Sequence, residues 1–398
     1  MGPGRVVREI RNKVDLYSAS LYLLLLFGFY SRVQSLDQRR LWSDELFNVG
    51  VAKRGVFGIF GLPVQEEAAL GPLDPMLLSL FTYFGDHAFI VRFPALLLGL
   101  VSIALIYRVG NAFFGRGVGL TAAFLLTVSL FHYQYSREAR FYSLFVVTTL
   151  LSLYFLAQIA VRGKSGWKWW AAYALSAVLV SYSHLFGFFV LFSEWVFLGI
   201  VSVGVPSLGS PGRMKRRLGL PLIISIIAVF LIYLPVLPRL VAVVNSGGEF
   251  YTLNSQQSQM RPASLPAVVL KLSYNFSGGA RWYLSLLMNS LFGVGLAFLV
   301  TRRPSLAFLS VWWLTAPFVV LAILQPSHFF APRYVIFMLP LYLILVALGS
   351  GVLLSWGARA VTFAGSNRRS LSGSWEQGIT VARVRATMES QHRDMNYF

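Results

Sequence analysis

The chain has 398 residues, of which 56% are hydrophobic and only 12% charged, with no cysteine, and its mean hydropathy is +0.65. That composition excludes an ordinary soluble domain, and the missing thiols exclude disulfides, thiolate metal sites and a cysteine nucleophile. The formal charge of +19 reads as basic flanks of apolar spans meeting anionic headgroups, and no nucleic-acid partner is expected.

A helix needs about 17–25 mostly apolar residues to cross the hydrocarbon core. Ten stretches meet that need, near 15–31, 88–107, 117–134, 141–161, 168–183, 185–205, 218–238, 282–300, 305–325 and 334–356. The first follows Arg5, Arg8, Arg11 and Lys13 without a small-residue cleavage site, so it reads as a retained signal anchor. The fourth, fifth and sixth are separated so briefly that they form tight hairpins. With a cytoplasmic N-terminus, the short inner loops carry eleven Lys and Arg, against three in the short outer loops, namely Arg137, Arg140 and Arg333. Positive charge in short loops marks the cytoplasmic side. Both termini are therefore expected inside, and the long loops 31–87 and 239–281 outside. The expected division is a membrane domain over 1–356 and a flexible basic cytoplasmic tail over 357–398.

On this topology the chemistry-capable groups gather outside. In "LWSDELFNVGVAKRGVFGIF", Leu46, Val49, Val56, Ile59 and Phe60 recur at near-helical spacing, predicting one amphipathic helix in the interface. Asp44, near its start, reads as a helix N-cap when taken alone. Glu45 is the weaker partner in chemistry, because adjacent helical residues point about 100° apart. In "GPLDPMLLSLFTYFG", Asp74 precedes a proline that opens a second helix. The outer segment "FHYQYSREARFYSLF" carries Arg137, Glu138 and Arg140, and "HFFAPRYVIFMLP" carries Arg333 and Tyr334. Interfacial anchoring explains the tyrosines. It explains less well two arginines placed against the positive-inside trend, since a planar guanidinium suits bidentate phosphate recognition. Glu194 alone lies deep in a span, where a structural role is favoured over a transport pathway.

These motifs, with "FIVRFPALLLGLVSIALIYRVGNAFFGRGVGLTAAFLLTVSL", "YSHLFGFFVLFSEW" and "PRYVIFMLPLYLIL", resemble in order and spacing the GT-C integral-membrane glycosyltransferases. The likeness is to the protein mannosyltransferase-like group, glycosyltransferase family 39, which includes aminoarabinose and rhizobial lipopolysaccharide sugar transferases, and it runs over residues 10–356. The resemblance implies an all-α bundle of about ten transmembrane helices, with interfacial helices in the first outer loop. It also implies transfer of a sugar from a polyprenyl-phosphate donor to a glycan, lipid or protein acceptor on the outer side of the cytoplasmic membrane. By the same resemblance Asp44, with Glu45 beside it, lies at the catalytic centre; Arg140, Tyr142, Arg333 and Tyr334 lie near the lipid phosphate; and Asp74 matches the region of a divalent-metal or donor site. The family's usual histidine or lysine and double proline are replaced there by Leu73, Asp74, Pro75 and Met76. The rival readings are a transporter or flippase of lipid-linked sugars and a non-catalytic relative that binds the carrier.

Overall fold

A computed structural model describes residues 3–61, 71–203, 219–239, 241, 265–279, 281–324 and 332–357, and among them every regular element is helical. Glu66, Glu67, Glu249, His328 and the basic loop Arg213–Arg217 lie outside the described residues, as does nearly all of the expected tail. The chain divides into two units, Met1–Gly349 and Ser350–Phe398, and the site described below belongs to the first. Five helices are long and apolar enough to cross a membrane: Leu16–Val33, Ala88–Phe114, Tyr142–Ala160, Trp282–Arg302 and Pro332–Gly357. By length and composition the protein is therefore a multi-pass membrane protein. Helical structure also stands at the other predicted stretches, among them the shorter apolar helices Arg116–Val128, Gly187–Ser202, Gly219–Tyr233 and Pro304–Val319.

In chain order the N-terminal part consists of α1 (Pro3–Val33), α2 (Ser43–Ala52), α3 (Gly55–Phe60), α4 (Leu73–Thr82) and α5 (Ala88–Phe114). There follow α6 (Arg116–Val128), α7 (Leu130–Tyr135), α8 (Tyr142–Ala160), α9 (Trp167–Ser183), α10 (Gly187–Val203) and α11 (Gly219–Tyr233). The helices Leu265–Phe276, Trp282–Arg302 and Pro304–Leu324 and the 3-10 turn Pro332–Met338 complete the first unit's named elements. At 1.5 Å per residue α5 is about 40 Å long. Gly115, at φ 99°, ends it and starts α6. The two pack so closely that a Cβ on Gly110 would stand 2.8 Å from Gly119 Cα.

Two predicted elements are corrected. The stretch 117–134 is not one helix: Ser129 leaves the helical region at ψ 116°, and its side chain accepts from the His132 N–H, restarting the chain as α7. The single amphipathic helix predicted after the first span is also two helices, because the chain turns after Ala52 and Gly55 takes φ 72°, a conformation open to glycine. The buried face of α2 carries Glu45, Asn48, Val49, Val51 and Ala52, while Leu46 is 56% exposed. Polar residues occupy that face because partners on α5 and on the α7–α8 loop await them.

The ends of α1, α6 and α7 are joined by a buried polar knot. Arg32 donates from Nε to Ser136 Oγ at 2.9 Å and from Nη2 to Thr127 O at 3.2 Å, and it lies 3.0 Å from His132 Nδ1. A guanidinium can only donate, so Nδ1 accepts and His132 Nε2 carries the ring hydrogen toward Ser102 Oγ, 2.9 Å away. Deeper in the bundle, the hydroxyls of Thr148 on α8 and Ser183 on α9 meet at 3.1 Å, and Ser152 on α8 donates to the buried Glu194 on α10. These bonds satisfy polar groups inside an apolar bundle, where leaving them unmade is costly.

Candidate active site

The site is built on the α7–α8 loop, which the segment between α1 and α5 grips from one side. Arg92, just past the first turn of α5, donates from Nε to Glu45 Oε1 at 2.8 Å and from Nη2 to Glu45 Oε2 at 2.6 Å. Its remaining N–H groups reach the carbonyls of Leu36, Arg39 and Arg40 at 2.8, 2.9 and 3.2 Å. Glu45 is fully buried and accepts two further bonds, from Ala139 N at 2.9 Å and Trp42 N at 3.3 Å. Every contact of the Glu45 carboxylate is thus with protein donors. One helical step away, Asn48 Nδ2 donates to Ala139 O and to Asp74 Oδ2, both at 2.8 Å. Ala139 is consequently held by both its N–H and its carbonyl.

Flanking Ala139 are Glu138 and Arg140. Arg137 anchors the start of the segment to the end of α1, donating to Gln34 O at 2.7 Å and Ser35 O at 3.0 Å, and to Tyr133 Oη at 2.5 Å. Arg140 is buried, with its guanidinium 5.5 Å from the Phe141 ring centre. From the far end of the chain the turn Pro332–Met338 brings Arg333, whose Nη2 lies 3.6 Å from Asp44 Oδ2 and whose guanidinium sits 5.4 Å from the Trp42 ring centre. Arg140 and Arg333, 193 positions apart by their numbers (333 − 140), both act electrostatically on Tyr142 and on Glu138. Tyr334 stacks against His184, ring centres 6.1 Å apart, and His184 stacks on Phe141 at 4.4 Å. Asp44, Arg140, Tyr142, Arg333 and Tyr334 therefore share one region, while Glu45 lies beneath it in the Arg92 pair. Asp44 is the second residue of α2 and not its cap, which is Trp42.

Asp74, in the first turn of α4, shares a small pocket with Asn48, Arg140, Ser183 and His184. Its carboxyl is pushed up to about 6, first by burial, against the lowering effects of the Asn48 hydrogen bond and the Arg140 charge. Glu138 is pushed up to about 7, again first by burial and next by the nearby Glu45 carboxylate. A hard divalent cation takes six or more oxygen ligands. The residues around Asp74 do not fit that requirement: its carboxylate already accepts from Asn48, a guanidinium lies beside it, and no group of three or more His, Asp or Glu side chains occurs among the described residues. Glu138, Asn48 and Arg92 had passed unassigned in the sequence. An arginine inside the apolar run "FIVRFP" was the available signal for the last.

An apolar groove of about 340 Å³ is lined by Phe188, which follows His184 by four positions in sequence, and by Ile227, Phe230, Leu231, Leu234 and Leu237.

Residues 70–237 match the family described as dolichyl-phosphate-mannose-protein mannosyltransferase, a shorter range than the sequence motifs span. No curated protein sequence matches the chain. Among solved structures, ArnT from Cupriavidus metallidurans bound to undecaprenyl phosphate superposes with a TM-score of 0.57 at 19% identity, over 89% of this chain and 63% of that one. The oligosaccharyltransferase of Archaeoglobus fulgidus in complex with Zn and sulfate gives 0.59 at 15% identity, over 87% and 50%. The same organism's AglB, with an inhibitory peptide and a dolichol-phosphate, gives 0.60 at 13% identity, over 88% and 52%. The chain thus spans less than two thirds of the length of these structural relatives. Over residues 70–237 it is thus similar to the dolichyl-phosphate-mannose-protein mannosyltransferase family, on a fold shared with ArnT and the archaeal oligosaccharyltransferase.

Proposed function

We propose that this protein is a glycosyltransferase that moves a sugar from a polyprenyl-phosphate donor to a hydroxyl of a glycan, lipid or protein acceptor on the extracytoplasmic face of the cytoplasmic membrane. The observation that carries this reading is the approach of Arg333 to the carboxylate of Asp44, with Arg140, from a distant part of the chain, acting together with Arg333 on Tyr142 and Glu138. Displacing a phosphate-linked sugar needs a base for the incoming hydroxyl and positive charge at the departing phosphate. Asp44 takes the hydroxyl proton as the acceptor oxygen attacks the anomeric carbon. Arg140 and Arg333 neutralise the phosphate as the bond to the sugar breaks, with Tyr142 and Tyr334 beside it. The apolar groove lined in part by Phe188 suits a lipid tail that stays in the bilayer while its phosphate reaches the interface. Glu45 acts as a positioning residue that aligns the Arg140 segment through Ala139, and no step is routed through a metal. The ArnT and AglB structures hold undecaprenyl phosphate and dolichol-phosphate respectively, which favours the same donor chemistry here.

The test is sugar transfer by the purified protein from polyprenyl-phosphate sugars, alongside mass spectrometry of lipid-linked sugars and envelope glycans in cells with and without it. An accumulating donor and a missing glycan identify the substrates. Facilitated movement of the donor across a bilayer, without transfer, would replace this reading with that of a flippase.

A further inference from the structure

The Glu138 carboxyl has no part in the roles assigned above, yet its position is among the most constrained in the region. Its neighbour Ala139 is held on both sides, by Glu45 and by Asn48, and its own carbonyl accepts from Arg140 N at 2.8 Å. Glu138 Oε2 and Tyr142 Oη are both buried, and neither has a hydrogen-bond partner among the described residues. An unsatisfied buried polar atom costs free energy, so a fold that holds two of them in electrostatic reach of each other calls for something to complete them. The groups acting on Glu138 are Glu45 from α2, Gln134 and Tyr135 from α7, Arg140 on its own loop, Tyr142 at the start of α8, and Arg333 from the turn Pro332–Met338. Two of these are the arginines that would grip the phosphate. An acid within electrostatic reach of both arginines is suited to serve the leaving group, while Asp44, 3.6 Å from Arg333 Nη2, serves the acceptor.

We propose that Glu138 is the proton donor to the departing phosphate, and this inference rests on the glycosyltransferase reading. The acceptor oxygen forms its bond to the anomeric carbon and gives its proton to Asp44. The bond between that carbon and the phosphate oxygen breaks, and its electron pair goes to the oxygen, which takes the proton of Glu138. Polyprenyl phosphate leaves as a monoanion, and net transfer of one proton from Asp44 to Glu138 through solvent restores both carboxyl groups. One acid and one base held in different surroundings divide the work, as two carboxyl groups at a glycosyl centre commonly do.

The experiment measures kcat and KM for a polyprenyl-phosphate sugar across pH in the wild type, Asp44→Asn and Glu138→Gln. Because the protonated acid is the active form, wild-type kcat should fall as pH rises through about 7, the value to which Glu138 is pushed. Glu138→Gln should lower kcat roughly a hundredfold, leave the donor KM unchanged and abolish that alkaline fall. A folded Glu138→Gln protein that keeps wild-type kcat, or keeps the alkaline fall, overturns the proposal. If Asp44→Asn is inactive in the same series, the glycosyltransferase reading survives that result. Absence of transfer by the wild type, with unchanged lipid-linked sugars in cells, removes both. Should Glu138→Gln fail to fold, Glu138→Asp decides: reduced kcat with the alkaline fall retained supports the role, and unchanged kcat overturns it.

Discussion

Arg92 and Glu45 form a buried ion pair with two hydrogen bonds, at 2.8 and 2.6 Å, and the same carboxylate holds Ala139 N–H at 2.9 Å. Arg92 belongs to a long helix, Glu45 to a short helix in the segment between α1 and α5, and Ala139 to the loop that carries Arg140. One carboxylate therefore fastens three segments at the floor of the site.

Removing either charge strands the other away from water. Glu45→Ala or Arg92→Ala should each cost about 3–5 kcal/mol of stability, read as a large fall in the thermal midpoint of the protein in nanodiscs. Replacing both together, Glu45→Leu with Arg92→Met, should recover much of that loss. It should not recover sugar transfer, because Ala139 N–H still lacks its acceptor. Recovery of both would reduce the pair to a device for stability alone.

Asp44→Asn removes a charge without removing a cap, since Trp42 holds the cap position. The folded variant should bind the lipid donor but transfer sugar at least roughly a hundredfold more slowly, as expected for loss of a general base. Near-normal turnover would shift the role of base to another carboxyl of the region.

Arg140→Ala and Arg333→Ala should each weaken binding of a polyprenyl-phosphate sugar by about 1.5–3 kcal/mol, the usual worth of a hydrogen bond to a charged group. That is roughly a 10- to 150-fold change in Kd. Lysine at either position should rescue only part of it, lacking the planar fork. Unchanged donor affinity in both folded alanine variants would make them interfacial anchors.

Asp74 carries a pH signature of the fold. Its carboxyl is raised from 3.8 to about 6, so the folded state binds the proton more tightly than the unfolded chain does. The associated stability is fully present below about pH 4 and lost as pH rises through about 6. Asp74→Asn, whose carboxamide oxygen can still accept from Asn48, should therefore gain about 1–3 kcal/mol on the wild type at neutral pH. The gap should close below about pH 4, as followed by thermal midpoints across pH. A gap independent of pH would show that the carboxylate is not destabilised by its surroundings.

The orientation proposed from the basic loops places both termini in the cytoplasm. With no native cysteine, single introduced thiols report cleanly: Gln257→Cys should react with an impermeant reagent in intact cells, and Ser210→Cys should not. The reverse pattern would put the site on the cytoplasmic side.

The helices were legible because long apolar runs leave little alternative in lipid, where backbone groups must bond within their own segment. Their interruptions were less so. Ser129 sits in an apolar context, and only its cap bond to His132 N–H reveals the break between α6 and α7. Between α1 and α5 the recurring Leu46, Val49 and Ile59 point to an apolar face, but Leu46 is exposed and the buried face of α2 carries Glu45 and Asn48. Periodicity counts apolar residues, so it is blind to a polar face that meets partners distant in sequence. Asp44, Arg140 and Arg333 could be picked out as unusual residues for their positions. Their common location depended on the return of the chain near residue 333, which no local pattern encodes.

Ala139 exposes a blind spot of mutational scanning. The two bonds that fix its position belong to its backbone, so glycine there removes neither, and an alanine library leaves the position unchanged. Proline is the one encoded residue that deletes the N–H itself, and an ester in place of the amide would do so with less disturbance of shape. A map of sensitivity drawn from side chains alone would thus show a ring of responsive residues around an apparently empty centre, when that centre is the point from which the ring is aligned.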